Sequence, residues 1–521
     1  MDRIAVIFAL LGLTFTLGCN TTTSTTPPMS ATIHPRYTEP HRPQFHFSPD
    51  SMWMNDPNGM VYYDGVYHLF YQFYPDSTVW GPMHWGHATS KDLVHWEHLP
   101  IALYPDSLGL IFSGSAVVDW KNTAGFKSGE KDPLVAMYTY HLMEGEKAGR
   151  TDFQYQGIAY STDGGISWDK YEGNPVIPNS GVKDFRDPKM FWHEASNQWV
   201  MILAAKDRVQ LFNSPDLKNW TLASEFGANE GSHSGVWECP DLFELPVIGG
   251  TGTKWMMIVS LGDGGPNGGS CTQYFIGDFD GKTFVNDHSP ETILWLDDGR
   301  DNYAGVTWSD VPESDSRKIF LGWMSNWKYA QVVPTETWRS AMTVPRKLEL
   351  VETRQGVRLK TLPVRELEQL RKEALVIEQP GAEDQQVVIP LTEGLGELKL
   401  DLRTEASFTI QLKNSKGESV QFLYDASLNQ YAIDRANAGK VDFESSFPDT
   451  QVIPRKGKWA SHSFHVFVDH SSMEVFAEGG LTVATSLFFP TENFHELVIG
   501  TEGEVAFEKV ECYPLRSIWS K

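Results

Sequence analysis

A degenerate turn motif in the N-terminal part of the chain restricts the fold more than any other sequence feature. In each copy a candidate strand ends in Ser or Asp, an Asp opens a turn, and an aromatic residue begins the next strand. The Asp side chain can accept hydrogen bonds from the N–H groups of the turn, and the ring can pack over it. The copies are Ser90–Trp96, Ser161–Trp168, Ser214–Trp220 and Asp278–Phe284. Their central Asp residues lie roughly 50–70 positions apart, which suits a four-stranded antiparallel blade, so the repeat predicts a β-propeller.

Short candidate strands fill the same region. They are rich in β-branched and aromatic residues and are bounded by Gly, Pro, Asn or Asp. Examples are Met60–Tyr63, Tyr67–Gln72, Leu134–Thr139, Gln156–Tyr160, Trp199–Ala204, Arg208–Asn213 and Lys254–Ser260. No long stretch before about residue 363 has helical periodicity, and Arg365–Leu370 predicts one short helix. The patterns together predict an all-β fold.

The sequence pattern changes near Glu349, where the turn motif stops. Alternation of polar and apolar residues, as in Ser407–Leu412, becomes typical and indicates strands with one buried face. A second all-β domain with the pattern of a sandwich is the economical interpretation. We therefore predict a propeller over residues 41–348, a linker with the short helix over 349–375, and a β-sandwich over 376–521.

The N-terminus has the pattern of an export signal. An apolar run over Ile4–Leu17 is too short for a membrane span and ends at a small residue followed by Cys19, as in bacterial lipoprotein signals. We predict a signal over residues 1–19, lipidation of Cys19, and a flexible, Thr-rich tether over 20–40. A plain cleaved signal peptide is the alternative, because Thr16 stands where lipoprotein signals usually have Leu. Both interpretations predict an exported protein, and contact with a membrane is expected only through the lipid anchor.

Composition restricts the partners. The formal net charge is −24 and the chain has no run of Lys or Arg, so nucleic acid is excluded as an expected partner and polyanionic substrates are disfavoured. Aromatic residues reach 12%, with 18 Trp, which fits either sugar stacking or the aromatic preference of strands. A neutral substrate fits these properties best.

Cysteine usage gives no sign of a metal site or a disulfide framework. If Cys19 is lipidated, Cys239, Cys271 and Cys512 remain, and these are too few and too scattered for either arrangement. The sequence also lacks a phosphate loop and a dinucleotide fingerprint. We therefore expect neither a metal nor a cofactor.

Three acidic segments place a carboxylate beside Pro or Cys at the end of a candidate strand: Asn55-Asp56-Pro57, Phe185-Arg186-Asp187-Pro188 and Trp237-Glu238-Cys239-Pro240. Because the inner strands of a propeller converge on one axis, carboxylates distant in sequence can meet there. Retaining glycoside cleavage requires two carboxylates roughly 5–5.5 Å apart, one as nucleophile and one as acid/base. Singly, each segment has an ordinary explanation as a turn, a surface ion pair or a solvated strand end. Together they favour a glycosidase.

The string Trp53-Met54-Asn55-Asp56-Pro57-Asn58-Gly59 resembles the signature of glycoside hydrolase family 32, which contains invertases, inulinases and levanases. Further segments are similar to the other motifs of that family, namely Phe112–Ser115, Arg186–Pro188, Glu238–Pro240 and, for its C-terminal domain, Val468–Phe476. The resemblance extends from about His46 to near the C-terminus. It implies a five-bladed β-propeller followed by a β-sandwich.

The resemblance also implies roles for individual residues. Asp56 would be the nucleophile, Glu238 the acid/base, and Asp187 the carboxylate that holds the fructose hydroxyls and stabilises the transition state. Arg186 would fix the charge of Asp187, and Trp323 would provide a stacking face. The remaining pocket residues implied are Trp53, Asn55, Gln72, Trp80, Phe112 and Ser113.

The implied activity is retaining hydrolysis of β-fructofuranosyl bonds in neutral saccharides: fructans such as levan or inulin, fructo-oligosaccharides and sucrose. Cleavage from the chain end is expected, because most family members have a deeply enclosed pocket. The alternatives are an endo-levanase or fructosyltransferase of the same family, a related propeller glycosidase acting on arabinan or xylan, and a non-catalytic carbohydrate-binding lipoprotein. The sequence leaves open the preferred linkage, the oligomeric state, and display in the periplasm or on the cell surface.

Overall fold

The computed structural model describes residues 37–377, 386–456 and 460–519. The predicted signal, Cys19 and most of the predicted tether lie outside these residues. The chain from Tyr37 onwards forms one compact unit. The ring of Tyr37 stacks on that of Trp519 with 3.8 Å between centroids, so the last residues of the predicted tether pack on the folded unit. Among the described residues no helix is both long and apolar enough to cross a membrane.

The described residues form an all-β fold that begins with five antiparallel blades, as predicted. The first three blades are separate sheets. In the second and third blades the inner strand is the first strand in chain order and lies at the edge of the sheet. In the first blade the inner strand also pairs in parallel with a short strand from later in the chain. The strands of these three blades are β1 (Met52–Tyr63), β2 (Val66–Tyr74), β3 (His84–Ser90), β4 (Glu97–Leu103), β5 (Leu110–Val118), β6 (Leu134–His141), β7 (Gln154–Ser161), β8 (Asp169–Lys170), β9 (Phe185–His193), β10 (Gln198–Ala205), β11 (Val209–Ser214) and β12 (Thr221–Phe226). A short helix α1 (Met143–Lys147) follows β6, and a 3-10 turn (Glu194–Ser196) follows β9.

The fourth and fifth blades are joined into one sheet, because β13 (Trp237–Ile248) and β22 (Arg346–Thr353) pair in parallel through their residues 247–248 and 350–351. The strands here are β13 (Trp237–Ile248), β14 (Thr253–Leu261), β15 (Cys271–Phe279), β16 (Phe284–Asn286), β17 (Leu294–Trp295), β18 (Tyr303–Thr307), β19 (Lys318–Met324), β20 (Trp338–Arg339), β21 (Ala341–Met342), β22 (Arg346–Thr353) and β23 (Gly356–Pro363). β20 returns to pair with β1, and the inner strands β1, β5, β9, β13 and β18 contact one another in a closed ring.

The turn motif joins the third and fourth strands of each of the first four blades. Asp92 Oδ1 accepts hydrogen bonds from the backbone N–H groups of Val94 at 3.0 Å and His95 at 2.8 Å. Asp163, Asp216 and Asp280 accept equivalent bonds. The predicted role of the motif is thus confirmed. The fifth blade turns through residues 353–356 without an acidic residue, which explains why the sequence contains four copies.

The predicted linker over 349–375 differs from the structure. Most of its first half belongs to the hairpin of β22 and β23, which completes the fifth blade. Leu348, Leu350 and Leu359 are buried in the core of that blade, so the hairpin is held by packing rather than left as a connection. The predicted short helix is present as a 3-10 helix over Arg365–Leu370.

The C-terminal part is a β-sandwich, as predicted. Its strands are β24 (Gln386–Pro390), β25 (Gly396–Arg403), β26 (Phe408–Lys413), β27 (Ser419–Asp425), β28 (Gln430–Asp434), β29 (Gln451–Pro454), β30 (Ser461–Asp469), β31 (Ser472–Ala477), β32 (Thr482–Leu487), β33 (Glu496–Thr501) and β34 (Ala506–Pro514). They form sheets in the orders β24-β33-β26-β27-β28-β29 and β32-β31-β30-β25-β34, with 3-10 turns at Thr392–Gly394 and Glu478–Gly480. Alternating apolar side chains from both sheets fill the core between them.

A buried ionic network joins the sandwich to the propeller. His46, which precedes β1, lies 2.8 Å from Asp469 through Nδ1 and 2.8 Å from Glu474 through Nε2. Burial alone would lower the pKa of His46, but its hydrogen bonds to these carboxylates raise it to about 9. Arg346 also pairs with Glu474 and, at 2.8 Å, with Asp297. The segment Val468–Phe476 is therefore one of the parts of the sandwich that anchor it to the propeller; Arg435, which pairs with Asp301 at 2.8 Å, is another.

Candidate active site

Each of the five inner strands contributes a polar side chain to one end of the propeller axis. These residues are Asp56 on β1, Ser113 on β5, Asp187 on β9, Glu238 on β13 and Tyr303 on β18. All lie in the first part of their strands, so the closed ring brings them to the same end. The structure thus brings together the three carboxylates that the sequence singled out.

An irregularity at the same level of every inner strand points these side chains inward. The register with the neighbouring strand shifts between Met54 and Pro57, Ile111 and Gly114, Arg186 and Lys189, Glu238 and Asp241, and Tyr303 and Val306. Such β-bulges bend a strand and redirect a side chain, and they are common beside active sites. Within the bulges Asp187, Cys239 and Ala304 have φ values of 65°, 44° and 54°. These left-handed conformations are unfavourable for residues other than Gly, and packing in the ring maintains them.

Asp56 is buried among hydrogen-bond donors. Ser113 Oγ donates to its Oδ2 at 2.6 Å, and Asn55 Nδ2 donates to its Oδ1 at 3.0 Å. Burial raises the pKa of Asp56 above its ordinary value, and these two donors oppose the shift. Asp56 therefore has a fixed orientation and few competing contacts with water, as a carboxylate nucleophile requires.

Asp187 is held mainly by the backbone. Its Oδ2 accepts the N–H of Cys239 at 3.0 Å, and its own N–H donates to Thr139 Oγ1 at 3.0 Å. Burial raises the pKa of Asp187 to about 7, against the opposing charge of Arg186. A carboxyl group with such a pKa can change its protonation state when a ligand or a neighbouring charge alters the pocket.

Arg186 is closer to Glu238 than to Asp187. Its Nη2 lies 2.9 Å from Glu238 Oε1, its Nη1 lies 2.7 Å from Asp184 Oδ1, and its Nε lies 4.0 Å from Asp187 Oδ2. The hydroxyl of Tyr303 donates to the other oxygen of Glu238, and burial raises the pKa of Tyr303, which keeps it a donor. The structure therefore changes the expectation for Arg186, whose main carboxylate partner at the site is Glu238.

The thiol of Cys239 lies between two carboxylates. Its Sγ is 3.6 Å from Asp56 Oδ2 and 3.6 Å from Asp187 Oδ2. Burial and the surrounding carboxylates raise the thiol pKa well above its ordinary value, so the sulfur stays protonated. Cys239 is thus a weak donor that separates Asp56 from Asp187 without adding charge.

The predicted pocket residues fall into two groups. Trp80 and Phe112 are partly exposed and meet edge to face with 6.1 Å between ring centroids, so they present ring surface at the site. Trp53 and Gln72 are buried and form hydrogen bonds with neighbouring side chains. Trp53 Nε1 donates to Asn55 Oδ1 at 2.7 Å, and Gln72 Nε2 donates to Asn58 Oδ1 at 2.8 Å. The second group fixes the residues beside Asp56 rather than forming an open wall.

Trp323 does not provide the stacking face that we expected. Its side chain has no exposed surface and packs against Trp327 at 4.9 Å, Trp53 at 6.1 Å and Tyr303 at 6.2 Å between centroids. Because Trp323 lies on β19, one strand outside the inner ring, Tyr303 covers it. Its contribution is to support Trp53 and Tyr303 from behind.

Two residues of the site were missed at the level of sequence. Tyr303 contacts Glu238, and Trp327 stacks on Trp53 with 5.8 Å between centroids. Neither belongs to an acidic segment or to the turn motif. Counting one inner strand per blade would have directed attention to Tyr303, because it begins the inner strand of the fifth blade.

Replacing Asp187 by Asn is expected to stabilise the fold at alkaline pH. The folded-state pKa of about 7 lies above the ordinary value of 3.8, so the folded protein binds this proton more tightly than the unfolded chain does. The contribution of Asp187 to the free energy of unfolding therefore falls as pH rises from about 4 to 7 and stays low above it. Removing the charge should raise Tm by about 1 °C for each kcal/mol recovered, because the entropy of unfolding grows with the length of the folded unit. Thermal unfolding at pH 8 and pH 5 tests this.

The gain in Tm should be larger at pH 8 than at pH 5. Asp76→Asn is the control for the Asp-to-Asn change itself, because Asp76 is exposed in the turn after β2. A lower Tm for Asp187→Asn at pH 8, or an equal change at both pH values, would contradict the assignment.

Comparison with known proteins gives concordant results across the described chain. The family model "Glycosyl hydrolases family 32 N-terminal domain" matches residues 46–363, and "Glycosyl hydrolases family 32 C terminal" matches residues 366–514. The first range contains Asp56, Asp187 and Glu238. The second contains the segment Val468–Phe476, which helps to anchor the sandwich.

Individual proteins are similar over nearly the same span. The chain is 48% identical to a levanase of Bacillus subtilis (strain 168) over 495 residues, which cover 93% of this chain and 72% of that protein. It is 38% identical to an extracellular exo-inulinase of Aspergillus ficuum over 521 aligned residues, 93% of this chain and 96% of that protein. The structure of a β-fructofuranosidase from Schwanniomyces occidentalis complexed with fructosyl-erythritol matches with a TM-score of 0.83 and 34% identity, covering 92% of this chain and 99% of that one.

Proposed function

Because this chain belongs to glycosyl hydrolase family 32, we propose that it is a retaining, exo-acting β-fructofuranosidase of fructans, fructo-oligosaccharides and sucrose. The observation that carries the proposal is the convergence of Asp56, Asp187 and Glu238 at one end of the axis, linked through Cys239 and Arg186. Two carboxylates with different surroundings are what retaining cleavage requires. The levanase and exo-inulinase relatives support fructans as the substrate class.

Asp56 is the nucleophile in this proposal. Its carboxylate attacks the anomeric carbon of a terminal fructosyl unit and forms a covalent fructosyl-enzyme. Ser113 and Asn55 hold the carboxylate in one orientation, so little reorganisation is needed when the bond forms.

Glu238 is the acid/base. It gives a proton to the leaving oxygen in the first step and takes one from the attacking water in the second, which releases fructose. Arg186 and Tyr303 each contact one of its oxygens and orient the group for both transfers. They are positioning residues for Glu238.

Asp187 binds the fructosyl unit rather than reacting with it. Its carboxylate faces the same end of the axis as Asp56, and it can accept hydrogen bonds from sugar hydroxyls. In the transition state the ring carries positive charge, which a nearby carboxylate stabilises. Trp80 and Phe112 supply partly exposed ring surface for the apolar faces of the sugar.

We also propose that the protein is exported and carries a lipid on Cys19. The apolar run before Cys19 supports a lipoprotein signal. The similar exo-inulinase is an extracellular enzyme, which supports export. Metabolic labelling with a radioactive fatty acid tests the anchor: label should be incorporated into the full chain and be lost in Cys19→Ala.

The early products of hydrolysis test the proposed function. Purified protein is incubated with levan, inulin and sucrose, and the products of the first few per cent of conversion are separated by thin-layer chromatography. We expect free fructose as the early product from both fructans, and fructose with glucose from sucrose. Early release of oligosaccharides would contradict exo cleavage, and formation of longer saccharides at high sucrose would indicate a transferase.

A further inference from the structure

A large cavity lies at the opposite end of the propeller axis from the carboxylates. Its volume is about 520 Å³, and every blade contributes to its lining through residues near or beyond the distal part of its inner strand. Examples are Tyr63 at the end of β1, Trp120 after β5, Trp192 near the end of β9, and Asp310 after β18. At about 3.3 Å per residue, Tyr63 is roughly 20 Å along β1 from Asp56. This far-end cavity is therefore distinct from the active site.

The two ends of the axis are separated by packed side chains. A small cavity of about 10 Å³ lies beneath Asp187 and Cys239, which is room for about one water molecule. Lys189 lines both this small cavity and the far-end cavity, and its ammonium is held by Asp241 at 3.4 Å and by the carbonyl of Thr307. A sugar cannot pass through, so a ligand of the far-end cavity must enter from the other face of the propeller.

Trp120 forms a fixed aromatic surface at this cavity. Its side chain is 56% exposed, yet its Nε1 donates to Asp310 Oδ1 at 2.9 Å and its ring lies 5.7 Å from that of Tyr63. Asp310 is itself held by the backbone N–H of Val118 at 2.9 Å. An exposed Trp that is anchored by a half-buried carboxylate keeps its ring in one orientation, which lowers the entropic cost of stacking a ligand on it.

Lys318 provides an unused donor in the same cavity. Among the described residues its ammonium has no carboxylate within ion-pair distance and no hydrogen-bond acceptor, whereas Lys189 has both. Its aromatic contact is with the ring of Phe243, 6.0 Å away at the outer limit of a cation–π interaction, which uses none of its N–H donors for a hydrogen bond. Burial lowers the pKa of Lys318, in keeping with an ammonium that is partly removed from water. A polar group in this situation needs a partner from solvent or from a ligand.

The charges of the lining favour a neutral ligand. Of the described residues that line the cavity, five are carboxylates and three are lysines, so an anion would meet net repulsion. A cation would meet the ammonium of Lys318, whose N–H groups are not hydrogen-bonded within the described residues. A neutral sugar matches the site, because its C–H faces stack on aromatic rings and its hydroxyls accept from an ammonium and donate to carboxylates. The volume is within the range of roughly 300–1,000 Å³ found for small-molecule sites.

We propose that the far-end cavity is a second, non-catalytic saccharide-binding site that takes a short segment of a neutral fructan chain. The ligand class rests on the proposed function, whereas the site rests on Trp120, Lys318 and the cavity. A long fructan bound here stays attached to the protein while chain ends are hydrolysed at the other end of the axis. Sucrose does not need this site for its own hydrolysis.

Affinity electrophoresis in gels that contain levan tests the site. In an Asp56→Asn background, which leaves levan intact, the protein should be retarded by levan. Adding Trp120→Ala or Lys318→Met should reduce the retardation at least about threefold. Tyr104→Ala is the matched control, because Tyr104 is 55% exposed on the same domain and does not line the cavity. Lys318→Met keeps the length of the side chain, so it still tests the site if Trp120→Ala does not fold.

Kinetics with intact Asp56 separate this proposal from the proposed function. Trp120→Ala and Lys318→Met should keep kcat/KM for sucrose within about twofold and raise KM for long levan several-fold. Unchanged retardation in levan gels, or an equal loss in Tyr104→Ala, would overturn the second site while leaving the catalytic proposal intact. Absence of sucrose and fructan hydrolysis by the unaltered protein would instead reject the proposed function.

Discussion

Replacing Asp56 by Asn is expected to lower kcat for sucrose by about four orders of magnitude or more, because loss of a catalytic nucleophile has effects of this size. Asn is nearly isosteric and can still accept a hydrogen bond from Ser113, so the fold and the pocket should persist. It cannot form the covalent fructosyl-enzyme. Release of glucose from sucrose by the purified variant, measured at saturating substrate, gives the effect on kcat.

A buried Asp deeper along the axis, which contacts none of the three carboxylates, provides the control for Asp56. Asp241 lies on the inner strand β13 and accepts hydrogen bonds from the backbone and side chain of Thr307, both at 2.8 Å. Asp241→Asn should lower thermal stability but leave kcat for sucrose within about threefold, since Asp241 contacts Thr307 and Lys189 and none of the three carboxylates. Near-full activity in Asp56→Asn, or an equal loss in Asp241→Asn, would remove the nucleophile assignment.

Architecture was predictable wherever a local pattern repeats. The turn around Asp92 has a local physical cause, because one carboxylate satisfies two backbone N–H groups, and the same solution recurs in four blades. The fifth blade lacks this turn, and most of its hairpin over 346–363 therefore falls within the predicted linker over 349–375. Burial of Leu350 and Leu359 holds that hairpin in the blade, and this depends on neighbours distant in sequence.

The carboxylates were predictable as a set, but their contacts were not. Asp56, Asp187 and Glu238 stood out because each lies in a short motif, and convergence of inner strands explained how they could meet. The bulges that turn them inward leave no pattern in one strand, because a bulge is defined by the register of two strands. For the same reason the sequence did not predict that Arg186 would pair with Glu238 at 2.9 Å.

Burial separated two kinds of aromatic residue that look alike in sequence. Trp323 and Trp80 were both expected at the fructose pocket. Trp323 lies on a second strand beneath Tyr303 and is fully buried, whereas Trp80 lies in a loop and keeps exposed ring surface. A ligand can stack only on a ring with exposed surface, so Trp80 is the better candidate for contact with sugar.

Replacing Glu238 by Ala is expected to separate the two chemical steps. With sucrose, kcat should fall about 10³-fold or more, because the leaving oxygen no longer receives a proton. With an aryl β-fructofuranoside, whose leaving group needs little protonation, the fructosyl-enzyme on Asp56 should still form. Its hydrolysis then becomes slow, because no base activates water. Sodium azide should restore turnover, since this small anion needs no base and fits the space beside Arg186 that the carboxylate vacates.

The configuration of the azide product distinguishes the two carboxylates. Azide that attacks a fructosyl unit bound to Asp56 must approach from the side of the original leaving group, so Glu238→Ala should give β-fructosyl azide, with retention. Asp56→Ala cannot form that intermediate and should give no β-fructosyl azide under the same conditions. Nuclear magnetic resonance of the isolated product assigns the anomer. An α-configured product from Glu238→Ala, or equal rescue of both variants to the β-anomer, would show that the roles of Asp56 and Glu238 are not those proposed.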